Sequence, residues 1–316
     1  MSVKSDVREG QTFGGSSLAA RYASFVKLPH TLFALPFAGV GAILASWEYG
    51  RNLTLEAVGW IVLAFTAARF AAMGFNRIVD RRFDALNPRT ARRELPVGTL
   101  SLAQAVTAVV VASIIFLVAA FMLNPLCGLL APPALGWIFF YSYTKRFTSW
   151  AHHVLGMGLG IAPAGAFLAI SGVWPDPWYV LPVLVAAVMF WVAGFDVIYA
   201  LQDLEFDRTH GLHSIPARVG ARGALRRARI FHGLAFLLFA AIPVFRMLPV
   251  GLLYSGALVV MAGLLIYEHW LIGSGDPASL DLGRIDRAFF HANVGVSLAF
   301  FVFTLLDRVL GGSIPF

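Results

Sequence analysis

Two stretches of this 316-residue chain repeat acidic side chains at the pitch of a helix. The first reads Asn76, Asp80 and Asp84, each four residues after the last. Residues four apart share one helix face, so these three form an oxygen-rich stripe about 12 Å long at 1.5 Å rise per residue. The second stretch holds Asp203 and Asp207, again four apart, with Asp196 seven residues earlier on the same face. Hard divalent cations take carboxylate oxygens, and Mg²⁺ is typically held by one or two carboxylates together with substrate phosphates. Two such stripes facing across a cavity would hold Mg²⁺ against a diphosphate. Without cations the same carboxylates would repel one another.

Cations stand nearby in the sequence. Arg69 lies seven residues before Asn76 inside an apolar run, where a charge ordinarily serves an anion. The Arg89–Arg93 segment, which includes Arg92 and Arg93, forms a loop able to close over phosphates. Lys145 follows Tyr141 and Tyr143 at the end of another apolar segment. His30, Thr31, His152 and His153 begin apolar segments and are weaker candidates for touching a substrate. Glu268, His269, His291 and Asn293 suit hydrogen bonds between helices.

The elements that must position these groups are membrane spans. The chain is 59% hydrophobic and 13% charged, with mean hydropathy +0.75. A water-soluble fold of this length could not hide so much apolar surface. Nine segments suit a bilayer crossing of about 20 residues: 29–47, 56–75, 101–122, 125–141, 153–171, 178–200, 228–245, 248–270 and 288–310. Residues 1–20 read as a polar tail, and 21–316 as a single transmembrane domain. Residues 17–28 suit a short amphipathic helix on the membrane surface.

With the N-terminus inside, 20 of the 24 Lys and Arg fall on the cytoplasmic side. That asymmetry predicts N-in, C-out topology in a bacterial-type inner or plasma membrane, with the acidic stripes on the cytoplasmic face. The net charge of +7 then meets anionic lipid headgroups, and nucleic acid is not a partner. The single Cys127 excludes an intrachain disulfide and a cysteine metal cluster. Two polar loops, about 77–100 and 202–227, each run from an Asp pair to a Pro and a Gly. They suggest a pseudo-repeat of about 21–150 and 151–316. No Gly-rich nucleotide loop, His-Glu-x-x-His or nucleophile elbow occurs. No obligatory protein partner is inferred.

Asn76-x-x-x-Asp80-x-x-x-Asp84 followed by Asn87-Pro-Arg-Thr-Ala-Arg-Arg-Glu-Leu-Pro-x-Gly98 resembles the UbiA superfamily of membrane prenyltransferases. So do Phe195-Asp-Val-Ile-Tyr-Ala-Leu-Gln-Asp203 with Asp207 and His213-Ser-Ile-Pro216, and Tyr141-Ser-Tyr-Thr-Lys-Arg-Phe-Thr148. The resemblance covers about residues 22–310 and is nearest to 4-hydroxybenzoate polyprenyltransferases and their menaquinone-pathway relatives. It departs at Arg77, where many members have Asp, and at His213, where many have Lys.

The resemblance implies an all-α integral membrane enzyme, with about nine helices around a central cavity and a cytoplasmic cap of two helix-loop segments. It implies Mg²⁺-dependent transfer from a polyprenyl diphosphate to an aromatic acid, for ubiquinone or menaquinone synthesis. The acceptor would be 4-hydroxybenzoate or, alternatively, 1,4-dihydroxy-6-naphthoate. Asp80, Asp84, Asp203 and Asp207 would bridge Mg²⁺ to the diphosphate, with Asn76 and Asp196 assisting. Arg69, Arg92, Arg93, Tyr141, Lys145, Tyr199 and His213 would contact substrate. A transporter is the alternative of a different class, disfavoured because the acids gather at one face rather than midway across the membrane.

Overall fold

The computed structural model describes residues 17–27, 34–273 and 282–310. Among them are helices and turns and no strand. A short α1 (Leu18–Phe25) precedes α2 (Leu35–Glu48), α3 (Leu55–Leu86), α4 (Leu102–Leu123), α5 (Pro125–Thr144), α6 (Ala151–Ser171) and α7 (Val180–Tyr199). A 3₁₀ turn (Ala200–Asp203) leads into α8 (Leu204–Thr209), then α9 (Ile215–Val244), α10 (Leu252–Ile272) and α11 (Leu282–Leu310). Eight of these helical stretches are long and apolar enough to cross a membrane. The ninth, α2, has 14 residues and is a shorter apolar helix. His30 and Thr31 lie outside the described residues, as does most of the polar tail.

The helices expose what a soluble protein would bury. Val106, Val110, Ile114, Val118 and Phe121 project outward from α4, and lipid tails are a suitable solvent for such a surface. Inside, Phe37, Trp191, Phe239 and Phe300 pack at the centre of the largest core. Backbones also approach closely. A Cβ at Gly156 would strike the Met189 carbonyl of α7, and one at Gly160 would sit 2.7 Å from the Val185 carbonyl. Small residues at such crossings gain dispersion contact, the main attraction left between helices in lipid. At one end of the bundle, buried Asp307 of α11 accepts from the Gly251, Leu253 and Tyr254 amides and so caps α10.

Two elements are longer than the spans expected from hydropathy. Helix α3 runs on to Leu86, so the first acidic stripe is helical throughout. Helix α9 begins at Ile215 instead of 228. Its first turns are amphipathic: Ala221, Ala224, Leu225 and Ala228 are buried, while Arg218, Arg222, Arg226 and Arg229 are exposed. Mean hydropathy averages those faces away, whereas burial distinguishes them. Gly220 interrupts the helix with φ 74°, ψ 173°, a conformation open to glycine.

The two cap segments differ in their make-up. The second contains α8, but the first, 87–100, is a chain of turns. These turns are pinned by a buried ion pair, Arg77 Nη1 to Glu94 Oε2 at 2.6 Å. The Arg77 guanidinium also lies over the Phe25 ring. Phe25, Val26, Leu100 and Ala105 form a small apolar core beneath the loop, and Arg21 of α1 donates to the Thr99 carbonyl at 3.0 Å. Arg77, a departure from the resemblance noted above, is thus a staple for the loop.

Breaking a buried pair from one side strands the other charge, at a cost of about 3–5 kcal/mol. R77A should therefore lower the thermal midpoint and open 87–100 to protease, and R77M/E94L should recover most of the loss. Introducing Leu at Gly156 should cost about 1–3 kcal/mol through overpacking. Leu at Gly59, which meets nothing within 4 Å, should leave the melting curve unchanged.

Candidate active site

The C-terminal ends of α3, α5 and α7 arrive at the same end of the bundle, and a cavity of about 420 Å³ opens between them. Asn76, Asp80 and Asp84 line it from α3, and Tyr141 and Lys145 from α5. Asp196, Tyr199, Asp203 and Asp207 line it from α7 to α8. The two acidic stretches, more than a hundred residues apart, therefore share one chamber.

Asp80, Asp84 and Asp203 each have a defined partner. Asn76 Nδ2 donates to Asp80 Oδ2 at 3.0 Å, and Arg146 stands 3.5 Å from the other Asp80 oxygen. Arg93 donates to Asp84 at 2.8 Å. Arg89 grips Asp203 with both arms of its fork, Nε at 2.8 Å and Nη2 at 2.6 Å, and Asn87 adds a bond at 2.8 Å. The Arg89 guanidinium also lies over the Tyr199 ring. Asp207 is buried, and its Oδ2 has no hydrogen-bond partner. Beside these acids, burial alone would depress the Lys145 ammonium. Asp207, Tyr141, Asp203 and Asp196 outweigh that effect and raise its pKa above the ordinary lysine value. Lys145 is a fixed cation at physiological pH.

Below this charged layer the cavity turns apolar. It continues past Ala64, Phe65, Leu130 and Gly165 to Cys127 and Leu168. Cys127 and Lys145 are 18 residues apart on and just beyond α5, so the cavity extends about 27 Å at helical rise. Arg69 stands in this apolar stretch. It lines the cavity, its Nε has no hydrogen-bond partner, and no ion pair engages it among the described residues.

Two expected substrate contacts lie elsewhere. Arg92 and His213 are exposed and do not line the cavity. The turn that directs Arg89 and Arg93 inward directs Arg92 outward. His213 instead joins the second loop to α5, its amide donating to the Lys145 carbonyl at 2.7 Å. Arg89, part of the loop expected to close over phosphates, and Asn87, which was not among the expected contacts, take Arg92's place. Only their position in the Asn-Pro-Arg-Thr run hinted at it. His152 and His153 do not line the cavity either, but His152 touches Asp196. Glu268 and Asn293 do bond across helices, at 3.4 Å.

Asn76, Asp80, Asp84, Asp196, Asp203 and Asp207, the expected cation shell, all line this cavity. Among the described residues no three His, Cys, Asp or Glu side chains converge tightly enough to enclose a cation alone. The donors stand around open space, most of them beside a cation. That arrangement fits Mg²⁺, which keeps water and phosphate oxygens in its shell and needs one or two carboxylates. The unsatisfied Asp207 oxygen is a donor of the right kind.

The family model described as the UbiA prenyltransferase family matches residues 34–294. A 4-hydroxybenzoate octaprenyltransferase of Nitrosomonas eutropha is 31% identical over 283 residues, covering 86% of this chain and 93% of the relative. One from Aromatoleum aromaticum is 29% identical over 279 residues, 85% and 90% of the two chains. The apo structure of a UbiA homolog from Aeropyrum pernix K1 superposes with TM-score 0.77 at 35% identity, over 88% of this chain and 98% of that one. A UbiA homolog from Archaeoglobus fulgidus bound to GPP and Mg²⁺ shares the fold, with TM-score 0.68 at 19% identity over 92% and 99%. Together with the membrane-spanning architecture, these matches establish that the chain belongs to the UbiA prenyltransferase family of integral membrane enzymes.

Proposed function

We propose that this enzyme transfers a polyprenyl group from its diphosphate to an aromatic acid, 4-hydroxybenzoate first among the acceptors. The observation that carries this reading is the shared chamber. Two carboxylate pairs, Lys145 and loop arginines meet over an apolar passage long enough for a polyprenyl tail. The relatives named 4-hydroxybenzoate octaprenyltransferase support the acceptor and a long donor. The Mg²⁺-bound Archaeoglobus structure supports the cation.

The chain's own residues divide the work by depth. Asp80, Asp84, Asp203 and Asp207 face the diphosphate end. Mg²⁺ bound there would neutralise charge on the departing diphosphate. Lys145, Arg89 and Arg93 offer donors to its oxygens, the arginines in the forked geometry that suits phosphate. The apolar walls exclude water from the reactive allylic carbon. Arg69 lies about 10 Å further in along α3, seven residues before Asn76. An unpaired guanidinium in apolar surroundings calls for an anion, and the carboxylate of an aromatic acid supplies one. Both 4-hydroxybenzoate and 1,4-dihydroxy-6-naphthoate carry that group. The whole is a single domain of two related halves. Its charged end, with the N-terminus, faces the cytoplasm, as the distribution of Lys and Arg favours.

Purified protein incubated with Mg²⁺, a polyprenyl diphosphate and a panel of aromatic acids should yield a prenylated acid by mass spectrometry. EDTA should stop turnover and added Mg²⁺ restore it. D80N and D207N should each reduce turnover by at least about 100-fold, the scale of losing a main charge-stabilising group. R69L should raise KM for the acid by about 10- to 100-fold, the scale of a charged hydrogen bond, and leave a phenol lacking the carboxyl unaffected. Turnover without divalent cation would refute the proposal.

A further inference from the structure

Asp196 stands apart from the other chamber carboxylates. Asp80, Asp84 and Asp203 each face an arginine, and Asp207 acts on Lys145 more strongly than any other charge. Asp196 instead meets an imidazole: His152 Nδ1 lies 2.6 Å from Asp196 Oδ2. His152 is fully buried in the first turn of α6. Its other nitrogen, Nε2, receives the backbone N–H of Ile215 at 3.3 Å.

That contact decides the tautomer. A backbone N–H can only donate, so Nε2 carries a lone pair and the ring hydrogen sits on Nδ1. The ring is neutral and donates to Asp196. The donor to the ring is itself fixed, because Ser214 caps α9 by accepting from the Ala217 amide at 3.2 Å. His152 thereby joins α6, α7 and α9 at the chamber wall while Asp196 faces the cavity.

Depth gives the contact its purpose. Asp196 is seven residues before Asp203, about 10 Å further in along α7, and Tyr141 is about 6 Å further in than Lys145. Both lie beneath the diphosphate layer, on the way to Arg69. An aromatic acid anchored at Arg69 would present its ring hydroxyl in this zone. A carboxylate with one oxygen occupied by a neutral donor keeps its second oxygen for that hydroxyl.

We infer that His152 is a positioning residue for the aromatic acceptor. It locks Asp196 through the Nδ1–H tautomer, so that Asp196 orients the ring hydroxyl instead of joining the cation shell. The inference rests on the acceptor reading above and adds a residue to it.

Kinetics of H152L, H152Q, D196N and H152L/D196N test the inference, alongside calorimetric binding of polyprenyl diphosphate with Mg²⁺ and no acceptor. H152L and D196N should each raise the acceptor KM by about tenfold or more. The double variant should be no worse than D196N. Donor affinity with Mg²⁺ should stay within about twofold. H152Q, whose amide can both donate to Asp196 and accept from Ile215, should return to within a few-fold of wild type.

The assignment is overturned if H152L weakens donor binding as much as acceptor use, if the two single effects multiply, or if H152Q is no better than H152L. Normal donor binding with an unchanged acceptor KM in H152L overturns His152 alone. Absence of Mg²⁺-dependent donor binding in wild type overturns the prenyl-transfer reading with it. ¹⁵N NMR of wild-type histidines needs no variant to fold: His152 should show its hydrogen on Nδ1 with Nε2 as acceptor, and the Nε2–H tautomer refutes the assignment.

Discussion

Mutual repulsion among the chamber's carboxylates is the constraint around which the charged end is built. Two like charges about 6 Å apart at an effective dielectric of about 20 cost roughly 3 kcal/mol. Several such pairs would rival the whole stability of a domain. The fold offsets this with cations on short tethers: Arg89 and Arg93 from the turn segment, and Lys145 and Arg146 from the end of α5. The cations in turn need a rigid platform. The Arg77–Glu94 pair and the small core beneath it hold the turn segment in register.

The lipid environment sets the rest. Helices with apolar outer faces leave the inner faces as the place for charge. The chamber grades from Lys145 and the aspartates at its mouth to alanine, glycine and leucine farther in. Ionic side chains are thereby concentrated at one end, and the passage beyond is lined mostly by apolar ones. Arg69 is the exception in the apolar region, a cavity-lining cation that no ion pair engages among the described residues.

Much of this was legible in the sequence because it is local. The four-residue spacing of Asn76, Asp80 and Asp84 foretells a stripe on α3, and the stripe exists. Eight apolar stretches read as spans are spans by length and composition, with the shorter α2 as a ninth apolar helix. What escaped was non-local. Nothing in Asn-Pro-Arg-Thr-Ala-Arg-Arg tells which arginine points inward; consecutive turns decide that, and they select Arg89 and Arg93 over Arg92. The Glu94 partner of Arg77 and the Asp196 partner of His152 are 17 and 44 residues away. The start of α9 was hidden because its exposed arginines lower the average hydropathy while its buried alanines carry the packing.

Arg89 and Arg93 belong to one segment yet clasp carboxylates from different parts of the chain, Asp203 after α7 and Asp84 on α3. The turns therefore act as a keystone between the two walls. Any anion that draws these guanidinium groups away must bring enough positive charge to rejoin the walls. A phosphate arriving bare would loosen the arch, whereas one arriving with its counterions would replace the mortar it dislodges. Occupancy by such a phosphate and cohesion of the two walls would thus be thermodynamically linked, with the empty state leaving that duty to the protein's own cations.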